Sequence, residues 1–278
     1  MSHNVSHPAP AHKTKHLPVL AYRFRHSLFH LAQLDNGNTN GTALWMGAQV
    51  LSAWLSRLPN NKFRAAQAVP SRRPRVLELG SGIGLSALAL SALGWDVLST
   101  DLPDVIDSVL AENISNNIND LPPDSGTIEV RALDWTSPPS EWTWADSAII
   151  ASTSRPTAPL TASQPCSLDP PFGLIVTADT VYSPHLVQPL IRTLEHLYSL
   201  STTFSDTGKA LKPSIYVCIE RRDPSLVDTF LTKAREAFTV SRIPPRKVID
   251  AMEREGLSWP KEDREGMEIW SFVKGRKV

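Results

Sequence analysis

A strand that runs into a glycine-rich turn is the feature that most restricts what this chain can fold into. Residues 76–84 read V-L-E-L-G-S-G-I-G. The apolar start of this segment predicts a buried strand, and the residues from 83 onward predict a helix. Glycines let the backbone turn sharply and approach a ligand closely, and a helix N-terminus offers free N–H groups. The segment therefore predicts a ligand site between this strand and this helix.

The same alternation of strand and helix continues along the chain. Further strands are predicted over residues 96–100, 127–133, 173–178 and 214–220, with helices over 83–93, 103–117, 185–200 and 225–238 and closing strands over 239–243 and 267–274. This order is typical of an α/β fold, and we expect a doubly wound, mainly parallel seven-stranded sheet with helices on both faces.

A smaller N-terminal unit precedes this alternation. Weak strand alternation over 19–24 and 27–34 predicts a β-hairpin. Apolar residues at helical spacing between Leu44 and Leu58 predict a helix after it, with Thr42 as its N-cap.

The length of 278 residues fits one large domain with two additions. Residues 1–18 carry interleaved prolines and predict a disordered tail, and residues 19–278 form the domain. Residues 136–171, with a Pro/Ser-rich insertion near 147–169, predict a surface loop between the third and fourth strands that is ordered only near Trp142 and Trp144.

Charge and hydropathy exclude several classes of protein. Lys plus Arg and Asp plus Glu both number 28, so the net charge is zero, which argues against a protein that grips nucleic acid through its phosphates. No apolar run approaches the about 18 residues that a membrane helix needs.

The cysteines and histidines indicate neither a disulfide framework nor a metal site. Cys166 and Cys218 lack a metal-ligand spacing, which fits a reducing, cytoplasmic setting. A mitochondrial transit peptide is the alternative for the basic N-terminus. Four histidines lie in the predicted tail among prolines, and we expect no metal ion there.

The glycine spacing separates two kinds of ligand. Dinucleotide sites require G-x-G-x-x-G, whose third glycine would stand at Leu85, whereas here it stands at Gly84. About 20 residues further on, Asp101 ends the next predicted strand, where a carboxylate can accept hydrogen bonds from both ribose hydroxyls. Capping the helix that follows Pro103 is the structural alternative for Asp101.

Several segments together carry a resemblance to a known family. They are G-T-A-L-W at 41–45, L-E-L-G-S-G at 77–82, T-D-L-P at 100–103, L-D-W at 133–135, A-D-T-V-Y at 178–182 and E-R-R at 220–222. From about residue 20 to 274 the chain resembles the seven-β-strand protein-lysine methyltransferases of the D-x-x-Y group, which include elongation-factor and chaperone enzymes. The glycine segment, with Glu78 two residues before the first glycine, resembles motif I of S-adenosylmethionine-dependent methyltransferases.

The resemblance implies a Rossmann-like class I methyltransferase fold with S-adenosylmethionine as cofactor. It implies that Trp45 closes over the cofactor and that motif I, with Glu78, Gly80, Ser81 and Gly82, contacts it. It further implies that Asp101 binds the ribose, that Asp134 and Trp135 border the adenine and that Ala178 lies beside the sulfonium. It implies a catalytic, substrate-side role for Asp179 and Tyr182. For the two tryptophans, ordinary packing is the alternative. For Asp179, capping of the turn before Pro184 is the alternative.

The implied function is protein-lysine N-methylation, with an elongation factor or a chaperone as the protein substrate. We expect a monomer that needs no metal, nucleic acid or membrane. Two alternatives stay open: an N-methyltransferase of a small molecule such as nicotinamide, and a catalytically silent module that keeps the fold for binding.

Overall fold

The computed structural model describes residues 9–34, 41–58, 73–158 and 168–274. The first part of the predicted tail (1–8), Cys166 and the middle of the predicted insertion (159–167) lie outside the described residues. Within the described ranges, no helix combines the length and the apolar character needed to cross a membrane.

The N-terminal unit contains a short helix and the predicted hairpin. Its elements are α1 (Ala11–Thr14), β1 (Val19–Phe24) and β2 (Ser27–Ala32). The two strands pair antiparallel from Val19↔Ala32 to Phe24↔Ser27, which confirms the hairpin. The expectation of a disordered tail is wrong for residues 9–18. There the Gln33 amide donates to the carbonyls of Thr14 and Leu17, and Ala11 and Thr14 are buried.

The helix after the hairpin is α2 (Met46–Leu55). The predicted cap at Thr42 is wrong, because the N-cap residue is Trp45 and the Thr42 hydroxyl donates to the Leu34 carbonyl. The Trp45 side chain makes no capping hydrogen bond either. The cap comes from a distant part of the chain and is described with the site below.

One sheet of eight strands forms the centre of the molecule. Its strands are β3 (Arg75–Leu79), β4 (Asp96–Asp101), β5 (Ile128–Leu133), β6 (Ile149–Ala151), β7 (Leu174–Ala178), β10 (Ser214–Glu220), β11 (Thr239–Arg242) and β12 (Met267–Val273). Two further strands, β8 (Thr203–Phe204) and β9 (Ala210–Leu211), form a separate two-stranded ribbon. Their order is β11-β12-β10-β7-β3-β4-β5-β6. All pairs are parallel except the two that β12 makes. The predicted doubly wound, mainly parallel sheet is confirmed.

The strand count of seven needs a correction. The eighth strand, β6, lies inside the predicted insertion and pairs with β5 at the sheet edge, where the Asp134 N–H donates to the Ala151 carbonyl. A run of three residues is too short to show strand alternation, so only the neighbouring edge of β5 reveals it.

Helices cover both faces of the sheet, as expected. They are α3 (Leu85–Ala92), α4 (Pro103–Val105), a π-helical turn (Ile106–Leu110), α5 (Ala111–Asn117), α6 (Pro184–Leu200), α7 (Pro224–Ala237), α8 (Pro245–Arg254) and α9 (Lys261–Arg264). The hairpin, α2, α3, α5 and α8 contribute to one apolar core, and α6 and α7 to the other. Successive residues of β3 pack into different cores, with Val76 in the first core and Leu77 in the second.

This topology decides where a ligand site can form. The strands β10, β7, β3 and β4 are neighbours and run parallel, so their carboxyl ends meet at one edge. In open α/β sheets, ligands bind in the crevice outside these ends.

Candidate active site

A cavity of about 370 Å³ opens at the carboxyl ends of these strands. It is lined by Gly41, Trp45, Gly80, Gly82, Asp101, Leu102, Val105, Trp135, Ala178, Asp179, Thr180, Tyr182 and Arg222. We call it the main cavity. Its volume lies within the about 300–1,000 Å³ typical of small-molecule sites. Most of the residues predicted from the sequence meet in this space, although they come from five distant parts of the chain.

The glycine loop forms one wall of the main cavity. Gly80 and Gly82 have φ values of +67° and +55°, a backbone conformation that L side chains rarely adopt. A Cβ on Gly80 would lie 2.8 Å from Cγ2 of Thr180. The Gly82 N–H donates to Oδ2 of Asp101 at 2.7 Å, so β4 holds the loop in place. The loop is therefore a smooth backbone surface that ends at a carboxylate.

Asp101 is half-buried at the end of β4 and faces the cavity. Its second oxygen, Oδ1, accepts the Leu102 N–H at 2.8 Å. Burial raises the pKa of Asp101 to about 6, and the amide hydrogen bonds from Gly82 and Leu102 oppose that rise. The group is therefore ionised at neutral pH and can accept hydrogen bonds from a sugar hydroxyl.

Glu78 and Ser81 lie behind the loop and not in the lining of the main cavity. The Glu78 carboxyl is buried, and burial raises its pKa to about 7, while the hydroxyls of Ser81 and Ser86 lower it and the charge of Asp101 raises it. The Ser81 N–H donates to the Thr100 carbonyl. The predicted contact of Glu78 and Ser81 with a cofactor stays a prediction.

Of the two residues after β5 that were predicted to contact the adenine, only Trp135 lines the main cavity, and Asp134 does not. Trp135 lines the main cavity, and its indole Nε1 is buried without a hydrogen-bond partner in the part of the chain that the structure describes. Asp134 lies outside the lining and accepts hydrogen bonds from the N–H and hydroxyl of Thr136. Arg192 on α6, which the sequence did not indicate, donates to the carbonyls of Trp135 and Thr136 and holds this turn against the body.

Asp179 follows β7, the strand next to β3, and also lines the main cavity. Its φ is +55°, and its N–H donates to the Cys218 carbonyl. Its Oδ2 accepts the Gly47 N–H at 2.6 Å, so the carboxylate caps α2. The capping of the turn before Pro184 stays an alternative for the other oxygen, Oδ1. Burial raises the pKa of Asp179 to about 6, and the nearby Arg222 guanidinium lowers it.

The mouth of the main cavity is apolar. Tyr182 is half exposed there, and Leu102 is 44% exposed on the other side. Burial and the charge of Asp101 both raise the pKa of Tyr182, which keeps its phenol neutral. An aliphatic chain entering between these side chains would be in contact with apolar surface.

Arg222 is a site residue to which the sequence analysis gave no role. Its guanidinium lies 4.4 Å from the centre of the Trp45 ring and forms an ion pair with Glu220. Its positive charge also lowers the pKa of Asp179, so Arg222 interacts both with this carboxylate and with the Trp45 ring. The E-R-R segment after β10 was the available signal, because it matches the family pattern at the end of a strand.

These residues fit S-adenosylmethionine. The glycine loop gives a close backbone approach, Asp101 offers a carboxylate acceptor, and the unpartnered Trp135 N–H offers a buried donor at the cavity wall. In the described ranges, no group of three or more His, Cys, Asp or Glu side chains is arranged to hold a metal ion.

Comparison with known proteins gives the family context. Residues 29–152 match the model of a family described as lysine methyltransferase. The chain is 28% identical to protein-lysine N-methyltransferase rrg1 of Schizosaccharomyces pombe over 149 residues, which are 53% of this chain and 39% of that protein. It is 30% identical to EEF1A lysine methyltransferase 3 of Mus musculus over 158 residues, which are 55% of this chain and 64% of that protein. The alignments thus cover less than two thirds of these relatives.

Among solved structures, the chain is similar to the Thermus thermophilus 16S rRNA N2 G1207 methyltransferase in complex with AdoMet and guanosine. That likeness has a TM-score of 0.47 at 8% identity and covers 93% of this chain and 45% of that one. The resemblance to protein-lysine methyltransferases predicted from the sequence is confirmed by the family model and the two curated relatives.

Proposed function

We propose, from the match of residues 29–152 to the lysine methyltransferase family model, that the chain is an S-adenosylmethionine-dependent protein-lysine N-methyltransferase. The observation that carries the proposal is the meeting of two motifs in one cavity. The glycine loop with Asp101 forms one wall, and Asp179 and Tyr182 of the D-x-x-Y segment form the other. A cofactor on the first wall and an amine at the second would face each other.

The division of labour among the residues follows from their positions. S-adenosylmethionine, when bound, supplies a methyl group that its sulfonium already activates. The glycine loop and Asp101 would bind and orient it, with Trp135 at one side and Ala178 beside the reacting end. Positioning of this kind accounts for most of the acceleration that we expect, since a transfer to a neutral amine needs little acid–base chemistry.

The acceptor amine must be neutral before it can attack. A free lysine side chain has a pKa of about 10.4, and a dry cavity disfavours its charged form. The Asp179 carboxylate, with a pKa of about 6, is ionised at neutral pH and can accept a hydrogen bond from the amine. Tyr182 and Leu102 would hold the aliphatic stem at the mouth.

A protein substrate is supported by the names of both curated relatives, and an elongation factor by one of them. A chaperone stays the second candidate, on the family resemblance. We propose that the enzyme acts in the cytoplasm as a monomer. The buried Cys218 is a free thiol, which suits a reducing compartment.

The test is methyl transfer into a whole proteome. Extract from cells that lack this protein is incubated with labelled S-adenosylmethionine and the purified chain, and mass spectrometry then locates the label. We expect one dominant protein band, labelled on lysine, that Asp179→Asn removes. Asp120→Asn is the matched control, because Asp120 is exposed and lies outside the main cavity.

Two other outcomes would overturn the proposal. Label on small amines such as nicotinamide, with none on protein, would identify a small-molecule methyltransferase. Absence of S-adenosylmethionine binding by calorimetry would identify a silent binding module.

A further inference from the structure

A second, smaller cavity of about 250 Å³ adjoins the main cavity. It is lined by Ala11, His12, Lys15, Trp45, Met46, Glu220 and Arg222. We call it the side cavity. Trp45 and Arg222 line both spaces, so the stacked indole and guanidinium form a common wall between them. Whatever occupies the side cavity therefore lies next to the proposed acceptor position at Asp179.

The outer wall of the side cavity is held in a defined place by the N-terminal segment. The Gln49 amide donates to the Ala9 carbonyl, and the Gln33 amide donates to the carbonyls of Thr14 and Leu17. On α1, Lys13 forms an ion pair with Asp263 at 2.7 Å. These contacts fix the short α1 helix across the cavity and place Lys15 on its lining.

One cationic side chain of the side cavity has no ion-pair partner among the described residues. Arg222 forms an ion pair with Glu220, and His12 lies 3.3 Å from a carboxylate oxygen of Asp263. Lys15 has no anionic partner among the described residues, although it lines the cavity. Lys15 is exposed, so its ammonium group is free to meet an incoming carboxylate at this lining, whose apolar part is Ala11, Trp45 and Met46.

We propose that the side cavity binds an acidic side chain of the protein substrate, Asp or Glu, located within about three residues of the acceptor lysine. The inference rests on the proposed function. The carboxylate would pair with Lys15, and its methylene stem would pack on Trp45 and Met46. An extended chain spans about 3.3–3.6 Å per residue, so a flanking residue can reach past the Trp45–Arg222 wall while the lysine enters the main cavity. Selection of lysines with an acidic neighbour is the specificity that follows.

The carboxylate site can be tested without any methyl transfer. The protein is labelled with ¹³C-methyl methionine, and the Met46 signal is assigned with Met46→Leu. Titration with N-acetyl-glutamate amide should shift the Met46 signal, while the neutral N-acetyl-glutamine amide should not. The buried Met252 and Met267 are internal references outside the cavity lining.

Lys15→Glu should remove the Met46 shift, and Lys233→Glu should keep it. The two variants change the net charge equally, and Lys233 is exposed on α7 away from the cavity lining. Equal shifts with both probes, or equal shifts at Met252 and Met267, would overturn the carboxylate site.

The role in substrate selection is tested by kinetics with the labelled protein that the extract assay identifies. Lys15→Glu should raise its KM about tenfold or more and change kcat by less than threefold, with unchanged S-adenosylmethionine affinity by calorimetry. When the acidic neighbour of the methylated lysine is changed to Lys, the Lys15→Glu enzyme should regain the parental KM, because the two charges are then exchanged.

The outcomes of this experiment separate the two proposals. A parent chain that labels no protein would contradict the proposed function, and the probe titration would still decide the carboxylate site. A parent chain that labels protein, together with equal KM values for Lys15→Glu and Lys233→Glu, would overturn the inference alone. A loss of S-adenosylmethionine affinity in Lys15→Glu would also overturn it, since the side cavity would then serve the cofactor.

Discussion

The Asp179 carboxylate accepts the N–H of Gly47 at 2.6 Å, from a residue 132 positions away in the sequence. This bond joins the D-x-x-Y segment after β7 to the first turn of α2, whose N-cap residue is Trp45. The D-x-x-Y segment and the helix start at Trp45 are therefore joined directly. A negative charge at a helix N-terminus is also favoured by the helix dipole.

Gly47→Ala should test this bond through stability. A Cβ at Gly47 would lie 2.5 Å from Oδ2 of Asp179, so the carboxylate or the helix must move, and we expect a loss of about 1–3 kcal/mol. In an Asp179→Ala background the clash is absent, and the same change should gain up to about 1 kcal/mol, as alanine does over glycine in helices. Urea unfolding of the four proteins measures the difference. Equal effects of Gly47→Ala in both backgrounds would exclude the coupling.

Asp179→Asn should separate cofactor binding from turnover. Asn tolerates the positive φ at this position and caps helices nearly as well as Asp, so we expect a folded protein with parental S-adenosylmethionine affinity. The lost charge should lower turnover at saturating protein substrate by on the order of 10²-fold. Calorimetry and initial rates check both parts. Turnover near the parental rate would leave Asp179 as a capping residue only.

Cofactor binding should depend on the loop and on Asp101. Asp101→Ala removes the acceptor of the Gly82 N–H together with the expected ribose contacts, and hydrogen bonds to charged groups contribute about 1.5–3 kcal/mol each. The affinity for S-adenosylmethionine should therefore fall at least tenfold. Gly82→Val should have a similar effect, because its Cβ lies 3.1 Å from the Gly41 carbonyl oxygen in a strained φ. Asp104→Ala, three residues away and exposed, is the control. Parental affinity in both site variants would refute the assignment.

The buried Glu78 should make stability depend on pH. Burial raises its pKa from 4.5 to about 7, so the folded state holds this proton more tightly than the unfolded chain does. The resulting stabilisation is complete below about pH 4.5 and is lost as the pH rises through about 7. Between pH 4.5 and pH 8 the parent should lose about 3 kcal/mol of unfolding free energy relative to Glu78→Gln, which has no proton to lose at this position. Urea titrations at both pH values measure it, with the exposed Glu112→Gln as control. A pH-independent difference between Glu78→Gln and the parent would contradict the burial effect.

The edge strand β6 should matter more than the rest of the predicted insertion. Ile150 is completely buried, and Ile150→Ala should cost about 2–5 kcal/mol. Ile149→Ala, at the half-buried neighbouring position, should cost less, and replacing residues 159–167 by a short Gly/Ser linker should change the melting temperature little. Thermal unfolding compares the three. A large loss on replacing 159–167 would show that this segment also contributes to the core.

The sequence was sufficient for the parts of this protein that depend on local pattern. The apolar patterns located seven of the eight sheet strands, and the helices between β3 and β11, to within two residues, because each of these elements must bury one face of its own. They did not locate α8 and α9, which lie between β11 and β12. The spacing Gly80, Gly82 and Gly84 after a strand, with Asp101 about 20 residues later, indicated the ligand wall because those φ values and that strand end are local properties.

The sequence did not determine contacts that join distant segments. The cap of α2 by Asp179, the stacking of Arg222 on Trp45 and the position of Glu78 behind the loop exist only because neighbouring strands end at one edge. The strand β6 and the docking of α1 likewise depend on a partner surface, since elements of three or four residues bury too little to be stable alone. Local propensity chose the elements, and the tertiary structure decided which of their side chains share a cavity, because only packing brings carboxylates separated by many residues to one wall.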